Sequence, residues 1–222
     1  MIPVITIDGP SGSGKGTIAE RVAKRLGWHC LDSGALYRLL VILADRAGIS
    51  SDQVDKLTKL ARNMKVEFRQ RAVFLDGEEV TLAIRSESSG NAASKVAAVP
   101  EVRSALLEWQ RDYARAPGLV ADGRDMGSVV FPDAGVKIYL TASAGERAWR
   151  RYNQLKEKGL NASLGDLAAE INERDERDRN RGTAPLMAPE GALEVESTAL
   201  SIDEVLEQVM ERVRSAYPDL VI

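Results

Sequence analysis

The chain has 222 residues, 44% of them hydrophobic and 28% charged, with a formal net charge of -3. That length supports one core burying roughly 70% of the unfolded surface, and the slight acidity argues against a general nucleic-acid binder. A single cysteine, Cys30, excludes an internal disulfide and predicts a reducing, cytoplasmic setting.

No apolar run approaches the roughly 20 residues needed to span a membrane. Met1 to Ile5 has no basic region ahead of its apolar residues, so it reads as the start of a central strand rather than a signal peptide. The strand continues to Asp8 and gives way to Gly9-Pro10-Ser11-Gly12-Ser13-Gly14-Lys15-Gly16-Thr17. Glycines there let the backbone bend with its amides turned inward. A helix follows at once and adds the positive end of its dipole, while Lys15 brings an ammonium to the outer phosphates of a nucleotide. The motif departs from the strict form, because Gly16 stands where a hydroxyl is usual and Thr17 supplies one a residue late.

Ile18, Val22 and Leu26 give that helix its apolar stripe, and Gly27 ends it. Trp28 to Leu31 reads as a second strand, holding His29 and Cys30. Two adjacent ligands without partners make a poor metal site, so both are assigned to packing. Asp32-Ser33-Gly34 opens a helix carrying Leu36, Leu39, Leu40 and Leu43. A further helix, from about Ser51 or Asp52, buries Val54, Leu57 and Leu60. The period then changes from helical to alternating over residues 64–81, with Asp76-Gly77 as a tight turn, which predicts a small antiparallel β insertion. An edge extension of the main sheet is the alternative.

Ser86 to Val99 is polar and small, and a helix from about Glu101 to Arg115 carries Val102, Leu106, Trp109 and Tyr113. Leu119 to Ala121, Val136 to Leu140 and Leu193 to Val195 read as short buried strands. Helices are capped by Ser143, Ser163 and Ser201, and the last buries Ile202, Val205, Leu206, Val209 and Val213. Alternation of helices with short apolar strands predicts a parallel sheet covered on both faces. The cradle, Asp32-Ser33 and Asp122 to Asp125 then share the carboxyl edge of that sheet, where ligands gather. Asp122 suits either the water shell of a metal ion or a brace for the cradle.

Glu173 to Arg181 is densely charged. The helix before it buries Leu164, Leu167 and Ile171, and Arg174, Asp178 and Arg181 continue close to that stripe. Charges on a packing face point to a ligand, whereas Asp175, Glu176 and Arg179 read as a solvated surface.

Five stretches together resemble the nucleoside monophosphate kinases and, within them, the bacterial cytidylate kinases: residues 9–17, Leu31-Asp32-Ser33-Gly34-Ala35-Leu36-Tyr37-Arg38, Gly90-Asn91-Ala92-Ala93-Ser94, Ala121-Asp122-Gly123-Arg124-Asp125-Met126-Gly127, and residues 173–181. The resemblance implies an α/β P-loop kinase core with a five-stranded parallel sheet, the small antiparallel β insertion in a monophosphate-binding region, and a short lid. It divides one kinase domain into a core (1–32, 116–146 and 166–222), a monophosphate-binding region (33–115) and a lid (147–165). The polar Lys156-Glu157-Lys158-Gly159 is the hinge-like part of the lid.

The resemblance also implies ATP and Mg2+ as cofactors and CMP and dCMP as acceptors, with a monomer needing no nucleic acid or membrane. ATP falls to Gly9, Pro10, Ser11, Gly12, Ser13, Gly14, Lys15, Gly16 and Thr17, with Arg147 and Arg150. Ser33, Tyr37, Arg38, Ser94, Arg103, Arg124, Asp125, Arg174, Asp178 and Arg181 fall to CMP. Lys15, Arg124 and Arg181 carry the catalytic role, and no side chain is assigned as a direct metal ligand. Ser94, Arg103 and Asp125 are implied to read the cytosine, whose amino donor and ring acceptors complement a carboxylate and a guanidinium. A nucleotide switch is the rival reading, but no Asn-Lys-x-Asp guanine-reading motif is present.

Overall fold

A computed structural model describes residues 2–69, 72–85, 87–157 and 159–220. Met1, Ser86 and Lys158, which enter the sequence reading, lie outside the described residues. The chain divides into two compact units, residues 1–32 with 113–222, and residues 33–112.

The first unit is built on a sheet of five parallel strands. These are β1 (Val4–Asp8), β2 (His29–Asp32), β6 (Leu119–Gly123), β7 (Val136–Thr141) and β8 (Leu193–Glu196), in the order β2-β6-β1-β7-β8. Every residue of β1 and β6 is buried, as central strands covered on both faces must be. One face carries Ile5, Ile7, Val120, Val136, Ile138 and Val195, which pack with α1 (Lys15–Leu26) and α8 (Ile202–Ala216). Parallel register brings Asp8 beside Gly123, and Asp32 beside Asp122. The three loops expected at one edge of the sheet therefore do share it.

The remaining helices of this unit are α6 (Ala144–Glu157) and α7 (Leu164–Asn180). Ser163 caps α7 by accepting from the amide of Asp166, and Ser143 accepts from Glu146 at 3.2 Å. Leu164 and Ile202, expected in the core, are instead 42% and 48% exposed. Each sits in the first turn of its helix, before the buried stripe begins.

The second unit has its own core. α2 (Ser33–Arg46), α3 (Val54–Asn63), α4 (Glu87–Val96) and α5 (Pro100–Asp112) pack around Leu36, Leu39, Leu40, Leu57 and Leu106. The antiparallel insertion is present as a separate sheet of β3 (Val66–Arg69), β4 (Ala72–Leu75) and β5 (Glu78–Glu79). Asp76 and Gly77 both take positive φ, 50° and 86°, at its turn, as a two-residue hairpin loop demands. The edge-extension alternative fails, because these strands pair only with one another among the described residues. α4 was not foreseen in the polar stretch after 86. Its Ala93 and Val96, and Ala97 just after it, are buried, so small residues serve there as a packing face.

Candidate active site

β1 delivers the chain to the cradle. A Cβ on Gly9 would lie 2.0 Å from the carbonyl oxygen of Leu140 on β7, so no larger residue fits where the loop leaves the sheet. Gly12 and Gly14 take φ of 78° and 91°, the left-handed region that glycine enters without strain. Lys15 opens α1, and its Nζ donates to the carbonyl of Pro10 at 3.1 Å. Burial and then the Arg124 charge lower its ammonium pKa. Ser13 is 1% exposed, and its hydroxyl has no hydrogen-bond partner among the described residues. Thr17 is exposed on the first turn of α1.

At the neighbouring strand ends, Asp122 is buried and its carboxyl pKa is raised, first by burial and then by Asp32. One Asp122 oxygen lies 3.7 Å from where a Cβ on Gly16 would stand. The extra glycine of the motif thus leaves room for this carboxylate beside the cradle.

Asp8 was not singled out as a site residue, yet it is wholly buried at the last position of β1. Its two oxygens accept from the amides of Met126 and Gly127, each at 2.8 Å. It therefore anchors the π turn Met126–Val130, which follows directly on Arg124 and Asp125. A carboxylate at the end of a central strand otherwise free of charge is the signal that could have revealed it.

Arg124 Nε donates to Asp178 at 2.8 Å, and Arg181 lies 3.6 Å from Asp125. Burial pushes the Asp178 carboxyl up, but Arg124, Arg174 and Arg181 overcome that and hold it below the usual carboxylate range. Arg181 Nε also donates to the carbonyl of Ala184, a residue at φ 52°. The projected stripe of α7 thus does bring Arg174, Asp178 and Arg181 together, with Arg124 and Asp125 from the end of β6. Three guanidiniums meet two carboxylates, which leaves net positive charge for an anion.

The solvated reading of Asp175 is overturned. Asp175 is 2% exposed and pairs with Arg147 at 2.7 Å. Arg147 itself is 3% exposed and donates to the carbonyls of Ala142 and Ser11, both at 2.9 Å. Arg150 donates to the Ser13 carbonyl at 3.2 Å and to Ser197. Residues 147–165 span most of α6, its connection to α7 and the first positions of α7.

In the second unit, Ser33 and Tyr37 are buried in α2. Arg38 donates to the carbonyl of Ile84 at 2.7 Å. Ser94 is 5% exposed in α4. Arg103, on α5, is 8% exposed, donates to Ala97 at 3.0 Å and stands 5.8 Å over the ring of Tyr37. Helix position alone would have left Arg103 on the surface.

The cytidylate kinase family model matches residues 5–215, from β1 into α8. The chain belongs to the cytidylate kinase family. A cytidylate kinase of Marinomonas sp. (strain MWYL1) is 55% identical over 219 residues, covering 96% of each chain. One of Aeromonas salmonicida (strain A449) is 56% identical over 214 residues, 95% of this chain and 93% of its own. Among solved structures, an uncharacterized protein from Eubacterium ventriosum ATCC 27560 superposes with a TM-score of 0.54 over 96% of this chain and 99% of its own. At 9% identity that likeness shows a shared fold alone. The five stretches that suggested a cytidylate kinase all fall inside the matched span.

Proposed function

We propose that this chain transfers the γ-phosphoryl group of ATP to CMP and dCMP, yielding ADP with CDP or dCDP. The observation that carries this reading is the arginine cluster around Asp178 at the edge where β1 enters the cradle. ATP is held by Gly9 to Thr17, with Arg147 and Arg150 of α6 alongside. The cradle fits a polyphosphate: the first amides of α1 lack intrahelical acceptors, Lys15 stands at the loop and the Ser13 hydroxyl is unsatisfied.

Asp32 and Asp122 are paired in register, and their repulsion fits a divalent cation that arrives with ATP. Mg2+ would supply charge neutralisation at the phosphates, with Asp122 holding its water shell. CMP is bound by Ser33, Tyr37, Arg38, Ser94, Arg103, Arg124, Asp125, Arg174, Asp178 and Arg181. Residues 33–115 form the monophosphate-binding region and 147–165 the lid of a cytoplasmic monomer.

The attacking atom is a phosphate oxygen of CMP, already anionic, so no general base is needed. A new bond forms from it to the γ-phosphorus, and the bond to the β,γ-bridging oxygen breaks. Positioning and cancellation of charge carry the catalysis. Lys15, Arg124 and Arg181 oppose the negative charge on the transferring group. Asp125, with Ser94 and Arg103, reads the base, and uracil would turn an acceptor towards its carboxylate.

An assay coupled to ADP release, offering CMP, dCMP, UMP, dTMP and AMP in turn, tests this. CMP and dCMP are expected to be the preferred acceptors. A preference for UMP sinks the assignment of the base, and fast ATP hydrolysis indifferent to every monophosphate sinks the transfer itself.

A further inference from the structure

The amides of the cradle can face a phosphate only if its carbonyls face away, because a trans peptide plane fixes C=O and N–H in opposite directions. Three of those carbonyls are held by cations. Lys15 takes Pro10, Arg147 takes Ser11 and Arg150 takes Ser13. The peptide planes so fixed carry the amides of Ser11, Gly12 and Gly14. Arg147 and Arg150 lie three residues apart on α6, hence on one face. The Arg147 backbone also closes on the loop, since a Cβ on Gly12 would stand 3.3 Å from the carbonyl oxygen of Arg147.

A guanidinium this deeply buried needs a counter-charge. Asp175 of α7 supplies it. Its Oδ2 lies 2.7 Å from Arg147 Nη2, and its Oδ1 has no hydrogen-bond partner among the described residues. We propose that Asp175 is a positioning residue for ATP: through Arg147 it fixes the Ser11 carbonyl and thereby the direction of the Gly12 amide in the cradle. Asp175 acts through the fork of Arg147, which spans Ala142, Ser11 and Asp175 at once.

This rests on the reading of Gly9 to Thr17 as the ATP cradle. Asp175→Asn keeps the shape of the side chain and removes its charge. Equilibrium titration with a fluorescent ATP analogue is expected to show affinity weakened about tenfold. The CMP KM at saturating ATP should stay within about twofold of wild type, because the Arg147 fork engages the cradle and none of the residues assigned to CMP. Arg147→Lys retains a cation opposite Asp175 but cannot span the three acceptors, and it should reproduce the same split.

Unchanged ATP affinity in a soluble Asp175→Asn protein overturns the proposal. So does an equal loss for ATP and CMP, which is the mark of a merely structural ion pair. If Asp175→Asn does not fold, Arg147→Lys decides, and unchanged ATP affinity there overturns it. A wild-type protein that does not bind the analogue at all fails the cradle reading instead, which keeps the two failures apart.

Discussion

At the scale of single residues, two buried carboxylates that the sequence does not assign to a ligand organise the site. Asp8 orders the turn after Asp125, and Asp175 orders the loop that starts at Gly9. Asp8 also has a measurable titration. Burial is the largest influence on it, opposed by the amides of Gly127 and Met126, and the carboxyl rises from 3.8 to about 6. The folded protein therefore binds this proton more tightly than the unfolded chain does. Stability from this group grows as pH falls through about 6 and is lost as pH rises through it. Asp8→Asn has no such titration. Comparing urea unfolding of wild type and variant between about pH 7 and about pH 4.5, the wild type should gain about 2 kcal/mol more on acidification. Parallel pH profiles would show that Asp8 does not titrate in this range. Asparagine also turns an amino group on one of the two amides, so the variant should use CMP poorly at neutral pH.

At the scale of elements, legibility followed the strength of the local pattern. β1, the cradle and α1 could be read because strand, glycine loop, lysine and helix arrive in a fixed order. The hairpin could be read because Asp76-Gly77 sits between alternating runs. α4 could not, since Ala92, Ala93, Ala97 and the polar residues around them carry little periodic contrast until packing decides which face is inside. α7 was legible only in part. On a helical wheel Asp175 lies ~40° from Ile171 and Arg174 ~60° away on the other side, so Asp175 belonged to the buried stripe at least as clearly. What could not be seen is its partner, because Arg147 stands in another helix and only the tertiary fold brings them together. The Ser201 cap of α8 was plain from spacing. Ser201 donates its amide to Glu204 at 2.8 Å and accepts from the Glu204 amide at 3.3 Å. Ser201→Ala should cost about 1 kcal/mol in urea unfolding, with both KM values unchanged. A shift in either KM would mean that the end of α8 reaches the site.

At the scale of the whole molecule, the two compact units have separate cores. Leu36, Leu57 and Leu106 belong to residues 33–112, while Ile7, Val120 and Ile138 belong to the sheet. The residues proposed for ATP all lie in the unit that contains the sheet. Five of those proposed for CMP, Ser33, Tyr37, Arg38, Ser94 and Arg103, hang on the other core. Injury to that core should therefore reach one substrate before the other. Leu106 is fully buried on α5, three residues after Arg103 and therefore one turn along the helix. Leu106→Ala removes its packing and leaves a cavity, at a cost of about 2 to 5 kcal/mol. Well below the melting temperature of the variant, the CMP KM should rise several-fold, while titration with the ATP analogue gives the wild-type affinity. The reciprocal change, Ile138→Val in the sheet, costs about 1 kcal/mol and should leave the CMP KM untouched. If Leu106→Ala weakens ATP as much as CMP, the two cores are coupled in function, and residues 33–112 cannot be assigned to the monophosphate alone.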